Sequence, residues 1–282
     1  MLLGAHISIS GGVGKALIRG KDIGCRVIQI FTKSSNQWLA RPLEISEIKE
    51  FNKNKEITGI SFVVAHNSYL INIASPDSSL RNRSDSAMFI EMQRAELLGL
   101  QYLIIHPGAH TGSGEDAGIK RISDSLNILL EKTGDSKVDI LLETTAGQGT
   151  VLGYRFEHVA EIIQNTNYSK RVGVCFDTCH SYTAGYDIKN RYEDVFNEFD
   201  SVIGVDRLKV FHLNDTLKGC GSRVDRHWHI GMGELGLDTF RRVLNDKRFK
   251  DIPMIIETPK GLDENGTDFD RVNLKALRSL FD

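Results

Sequence analysis

The sequence predicts an α/β fold, a single (β/α)8 TIM barrel over residues 1–282, with its active site at the C-terminal ends of the strands. Three observations carry that reading. Eight short apolar runs recur 25–45 residues apart. Most are continuously apolar rather than alternating, as expected of parallel strands buried on both faces. Helix-like stretches lie between them, with no low-complexity segment or Pro- or Ser-rich linker to divide the chain. A two-domain split is the alternative, and the regular spacing weighs against it.

The elements follow in order. LLGAHIS at 2–8 and VIQIF at 27–31 are the first two strands, and LEISEIKEFNKNKE at 43–56 is helix-like. FVVAH at 62–66 is strand three, followed by the helical SAMFIEMQRAELLGL at 86–100. YLIIH at 102–106 is strand four; Pro107 and Gly108 stop it and let the backbone turn. GIKRISDSLNILLEK at 118–132 is helical, DILLE at 139–143 is strand five, and RFEHVAEIIQNT at 155–166 is helical again. Strand six is VGVCFD at 172–177 and strand seven LKVFHL at 208–213, with a long insert over 214–234. GLDTFRRVLND at 236–246, the strand PMIIE at 253–257 and the helical VNLKALRSLFD at 272–282 complete the chain.

Composition bounds the class. Hydrophobic residues make up 40% and charged residues 26%, as in a globular protein with a core. No apolar run approaches the roughly 18 residues of a membrane span. The N-terminal MLLGAHISISGGVGK turns polar too soon for a secretory signal. Cys25, Cys175, Cys179 and Cys220 show no paired zinc-ribbon or disulfide spacing. Reduced thiols and a cytoplasmic location are the expectation. The formal net charge of −2 speaks weakly against a nucleic-acid partner, which usually wants a basic face.

The ends of the strands point the other way. Apolar runs stop on His66, His106, Glu143, Asp177, His212 and Glu257, and His180 follows Asp177 in the next turn. The insert adds Asp225 and His227, whose i, i+2 spacing in an extended loop puts both side chains on one face. A lone strand-end histidine is usually a hydrogen-bonded core residue. Nine such groups around one barrel mouth are expected to line a multinuclear metal site. Imidazole with carboxylate suits zinc, with manganese or iron as substitutes, and cysteine-rich ligation is absent. One catalytic zinc takes three or four ligands, so nine exceed a mononuclear site. With one bridging carboxylate they supply about ten bonds, enough for three ions with positions left open. Four carboxylates against three divalent ions leave a surplus of +2, which a phosphodiester and a hydroxide would satisfy. His6 and His110 are expected as donors behind the ligands or as phosphate contacts. His158 and His229 are left out, and Cys179 reads as a small buried side chain.

These motifs resemble the endonuclease IV family of apurinic/apyrimidinic (AP) endonucleases over almost the whole chain. GAHIS at 4–8, FTKSSNQW at 31–38, HNSYLIN at 66–72, HPGAH at 106–110, LLETTAGQG at 141–149, FDTCHSYTAGYD at 176–187, HLNDT with GSRVDRHWHIG within 212–231, and IIETP at 255–259 fall in the family's order. The resemblance implies three zinc ions per chain held by the same nine residues, with Glu143 as the bridging carboxylate. It also implies hydrolysis of DNA 5′ to an abasic site, leaving a 3′-hydroxyl and a 5′-deoxyribose phosphate, and removal of blocking groups from 3′ ends. The partner is then double-stranded DNA with abasic sites or blocked 3′ ends, met by a monomer, with no membrane involved. Glu143 is expected to orient the nucleophile and help take its proton. No side-chain nucleophile is needed, and no Ser-His-Asp arrangement is evident.

DNA recognition is expected from loops at the mouth. Lys33, Arg41, Lys218, Arg223, Arg226 and Lys260 would form a local positive crescent on a near-neutral molecule. Tyr69 and Leu70 directly follow His66, where a bulky pair can wedge into a base stack. The family often carries an intercalating arginine in the loop after strand two; this chain has Asn36 there and retains Gln37. Two rival readings are a sugar isomerase or epimerase of similar barrel shape, using one or two metals, and a non-catalytic metal- or DNA-binding module.

Overall fold

A computed structural model describes residues 1–281; Asp282, the last residue of the expected terminal helix, lies outside the described residues. Eight parallel strands close into a barrel. They are β1 (Leu3–His6), β2 (Val27–Phe31), β3 (Phe62–His66), β4 (Tyr102–Ile105), β5 (Asp139–Glu143), β6 (Val172–Asp177), β7 (Leu208–His212) and β10 (Met254–Ile256). The barrel shuts where β10 pairs in parallel with both β1 and β7. The expected fold class is the one observed.

The helices around it are α1 (Val13–Asp22), α2 (Ile45–Thr58), α3 (Ser78–Leu97), α4 (Glu115–Lys132), α5 (Phe156–Gln164), α6 (Thr178–Ala184), α7 (Tyr192–Val202), α8 (Gly236–Asn245) and α9 (Phe269–Arg278). Among the described residues none is long and apolar enough to cross a membrane. Helix α3 starts eight residues before the expected segment, because the Asp77 carboxylate caps it by accepting the Ser79 and Leu80 amides at 2.8 and 3.2 Å. The insert after β7 is not a plain loop. It folds back as an antiparallel pair of short strands, β8 (Asp215–Thr216) and β9 (His227–Trp228).

Strand parity sorts the core into two layers. Outward residues such as Ile28, Ile30, Leu103, Ile105, Ile140 and Leu142 pack against the helices. Inward residues Val27, Val64, Ile104, Leu141, Cys175, Val210 and Ile255 fill the barrel as one closed apolar plug. A polar layer rests directly on that plug.

Candidate metal centre

Each inward plug residue is followed two positions later by a polar side chain at the barrel mouth. Val64 is followed by His66, Ile104 by His106, Leu141 by Glu143, Cys175 by Asp177, Val210 by His212 and Ile255 by Glu257. The period-two alternation of a strand explains why six candidates converge: all share the parity of the plug. Val27 is followed in the same way by Gln29, which sequence reasoning passed over. Its signal was a single amide inside the apolar VIQIF, on the inward parity. His106 and Glu257 stand one residue beyond their strands.

His180 reaches the mouth differently from the expected turn. Asp177 is the N-cap of α6, and its carboxylate accepts the His180 amide at 2.8 Å. The helix then lifts His180 one turn above Asp177, so a single capping interaction sets both side chains. Asp225 and His227 come in from the β8–β9 hairpin, where an extended loop was expected.

The nine groups fall into three sets of closely spaced donor atoms: His66, His106 and Glu143; Glu143, Asp177, His212 and Glu257; and His180, Asp225 and His227. Glu143 belongs to two of them. One of its oxygens lies 3.0 Å from His66 Nε2 and 3.1 Å from His106 Nε2. The other lies 3.1 Å from Nδ1 of both His180 and His212. In the third set, the Nε2 atoms of His180 and His227 are 3.1 Å apart, and Asp225 Oδ2 is 3.2 Å from His180 Nε2. A fourth combination, Asp177, Cys179 and His227, is also within reach. Cys179 is buried, and burial pushes its thiol up to about 12, which disfavours the thiolate a metal needs.

Backbone carbonyls set which ring atom of His66 and of His180 is left for the cluster. His66 Nδ1 lies 2.8 Å from the Asn67 carbonyl, leaving Nε2 for the site. His180 Nδ1 lies 2.9 Å from the Thr144 carbonyl, leaving Nε2 for Asp225 and His227. Asn214 donates to Asp177 Oδ2 at 2.7 Å and accepts the Glu257 backbone amide at 2.7 Å, tying the Asp177 carboxylate and the backbone of Glu257 to one side chain. Such backing is what orients metal ligands. His6 Nδ1 lies 3.3 Å from Glu257 Oε1. His110 Nδ1 accepts the Gly114 amide at the start of α4. His229 stacks on Phe269, and buried His158 bonds Glu115.

The electrostatics favour cations. Burial would raise Glu143, yet the surrounding histidines, His212 and His106 foremost, hold it well below the usual carboxylate range. Burial acts the same way on Asp225, but His180, through its hydrogen bond and its charge, together with His227 and His106 pulls Asp225 down to about 2. Burial would lower His180, but Asp177 and Asp225 raise it well above its ordinary value. Buried carboxylates here take positive charge from rings whose lone pairs also converge. Divalent ions fit that donor set, supplying the charge while accepting the lone pairs.

Comparison with known proteins places this geometry. A family model described as a xylose isomerase-like TIM barrel matches residues 18–277. The chain is 51% identical to the probable endonuclease 4 of Chloroflexus aurantiacus, over 98% of this chain and 97% of that protein. The chain belongs to the endonuclease IV family. The crystal structure of endonuclease IV from Thermus thermophilus superposes with a TM-score of 0.87 at 34% identity, covering 99% of this chain and 98% of the other. Membership makes the chain a metal-dependent nuclease, a hydrolase acting on DNA. A D-tagatose 3-epimerase-like protein superposes with a TM-score of 0.73 at 17% identity, a likeness of barrel alone.

The endonuclease IV loops around the mouth depart in part from the expected positive crescent. Lys33 is buried and ion-paired with Glu91 of α3 at 2.9 Å, so it offers no charge to DNA. It donates to the Gln37 carbonyl at 2.5 Å, and Glu91 accepts the Ser68 amide at 3.1 Å. That pair therefore ties the loop of Asn36 and Gln37 to the loop of Tyr69 and Leu70. Arg41 is held by Glu47 at 2.6 and 2.9 Å, and Lys260 by Asp270 at 2.6 and 2.9 Å. Lys218, Arg223 and Arg226 remain exposed, all on the β7 insert, and Arg223 stacks over Tyr154. Asn36 and Gln37 are exposed. Tyr69 is 66% exposed while its ring touches Phe31, and Leu70 is half-buried.

Proposed function

We propose that this chain is a zinc-dependent AP endonuclease of base excision repair. It hydrolyses the phosphodiester 5′ to an abasic site in duplex DNA, leaving a 3′-hydroxyl and a 5′-deoxyribose phosphate, and the same centre trims blocked 3′ ends. The whole chain, residues 1–282, acts as one metallonuclease domain, as a cytoplasmic monomer. The observation that carries the reading is the Glu143 carboxylate with two histidines at each oxygen. A carboxylate so placed suits a bridge between two ions.

Three zinc ions would be held by His66, His106 and Glu143; by Glu143, Asp177, His212 and Glu257; and by His180, Asp225 and His227. Imidazole and carboxylate donors favour zinc, with manganese or iron as substitutes. When bound, the ions supply a nucleophile deprotonated near neutral pH and charge stabilisation at phosphorus. Glu143 orients the attacking group and helps take its proton. Asn36, Gln37, Tyr69, Leu70 and Arg226 contact the DNA, with Tyr69 and Leu70 set to enter the stack beside the lesion. A sugar isomerase would use one or two ions, and nine donors in three sets weigh against it.

The test is a duplex carrying one synthetic abasic site. Cleavage 5′ to that site, lost with chelator and restored by zinc, is expected. An uncut duplex with metal-loaded protein would overturn the proposal.

A further inference from the structure

Gln29 occupies the β2 position of the polar layer that carries the proposed ligands, between His6 and Val64 in strand register. It is fully buried. A buried amide costs free energy unless its polar atoms are satisfied, and an apolar residue would fill the barrel at lower cost. Here both ends of the amide are used. Oε1 lies 2.7 Å from His212 Nε2. Nε2 lies 2.5 Å from Glu257 Oε1 and 2.8 Å from His6 Nδ1. The contacts select this orientation. Flipped, the amide oxygen would face the Glu257 carboxylate, and the NH2 would face a ring nitrogen whose partner it could not be while that nitrogen carries a proton.

We infer that Gln29 is a positioning residue for the group formed by Glu143, Asp177, His212 and Glu257. Its oxygen fixes His212 as the Nε2–H tautomer, so that Nδ1 turns its lone pair to the site. Nδ1 is the atom that lies 3.1 Å from Glu143 and 3.2 Å from Glu257. Its NH2 group, meanwhile, anchors the Glu257 carboxylate. One side chain thus sets a nitrogen ligand and an oxygen ligand of the same ion. This inference rests on the metal assignment proposed above.

The experiment uses the full chain loaded with zinc. Metal per chain is measured by mass spectrometry against a graded competing chelator, for wild type and for Gln29→Met, which keeps length and removes the polar atoms. The wild type is expected to hold three ions. In Gln29→Met the dissociation constant of one ion should rise about 10- to 100-fold, the usual effect of removing a group behind a ligand, with the other two unchanged. Equal zinc retention in a folded Gln29→Met would overturn the inference and leave the metal assignment standing. A wild type that binds no zinc would overturn both. Should Gln29→Met not fold, the wild type alone decides: nitrogen-15 spectra of the zinc-loaded imidazoles should show His212 protonated at Nε2, and protonation at Nδ1 contradicts the inference.

Discussion

Glu143→Gln keeps the shape of a side chain whose two oxygens each meet two histidines, and removes its charge. Folding should persist while turnover on abasic duplex falls at least about 10²-fold, the scale of a lost or misplaced metal-activated nucleophile. Steady-state kinetics on metal-loaded protein check this, and near-normal turnover would remove Glu143 from the mechanism. Tyr69, mostly exposed beside the site, is free to meet a base stack. Replacing Tyr69 and Leu70 with Ala should weaken binding to abasic duplex more than hydrolysis of a small phosphodiester, because a wedge acts on the stack. Equal losses in the two assays would make the pair a support of the site instead. Lys33 shows where residue type misleads: a lysine in a mouth loop reads as a phosphate contact until Glu91, far along the chain, is found beneath it.

At the scale of elements, the insert after β7 hangs on one carboxylate. Buried Asp215 accepts the amides of Thr216, Gly231, Gly233 and Leu235 at 2.8, 2.9, 3.1 and 2.9 Å. Glycine is required at 233, where a Cβ would collide with the Thr216 carbonyl and the Asp215 carboxylate. Asp215→Ala strands buried amides at a cost of about 1–3 kcal/mol for each one left unpaired. Amides of the insert should then exchange faster with deuterium, and the ion proposed for His180, Asp225 and His227 should be lost while the others remain. Unchanged exchange and metal content would show that the hairpin is held by something else. The strands were legible in the sequence because buried parallel strands are short apolar runs, and the candidate ligands because a carboxylate or imidazole ending such a run is conspicuous. Helix α6 was not legible: seven residues beginning on Thr178 carry too little pattern, and its start is set by the side chain of Asp177. Helix α1, with glycines at 14 and 20, was likewise obscured by its low helix propensity, which packing on α2 and β2 overrides. Gln29 and Asn214 escaped because an amide acts here through partners far along the chain.

Over the whole molecule, a formal charge of −2 means that DNA must be met by local fields. With Lys33, Arg41 and Lys260 already paired, the cations of the expected crescent that stay exposed, Lys218, Arg223 and Arg226, all lie in the β7 insert. The loop after β2 offers neutral Asn36, and Asn36→Arg should add charge there. Binding to abasic duplex should tighten by about 1 kcal/mol at low salt, with the gain shrinking as salt rises. No gain at low salt would mean that this loop stands away from the DNA. The central claim is that nine side chains, six of them raised on one apolar plug, build a single three-ion centre. Anomalous diffraction at the zinc edge, from crystals grown with zinc, tests it most directly. Three peaks are expected, one within each set: His66 with His106 and Glu143; Glu143 with Asp177, His212 and Glu257; and His180 with Asp225 and His227. One or two peaks, or density away from these residues, would contradict it.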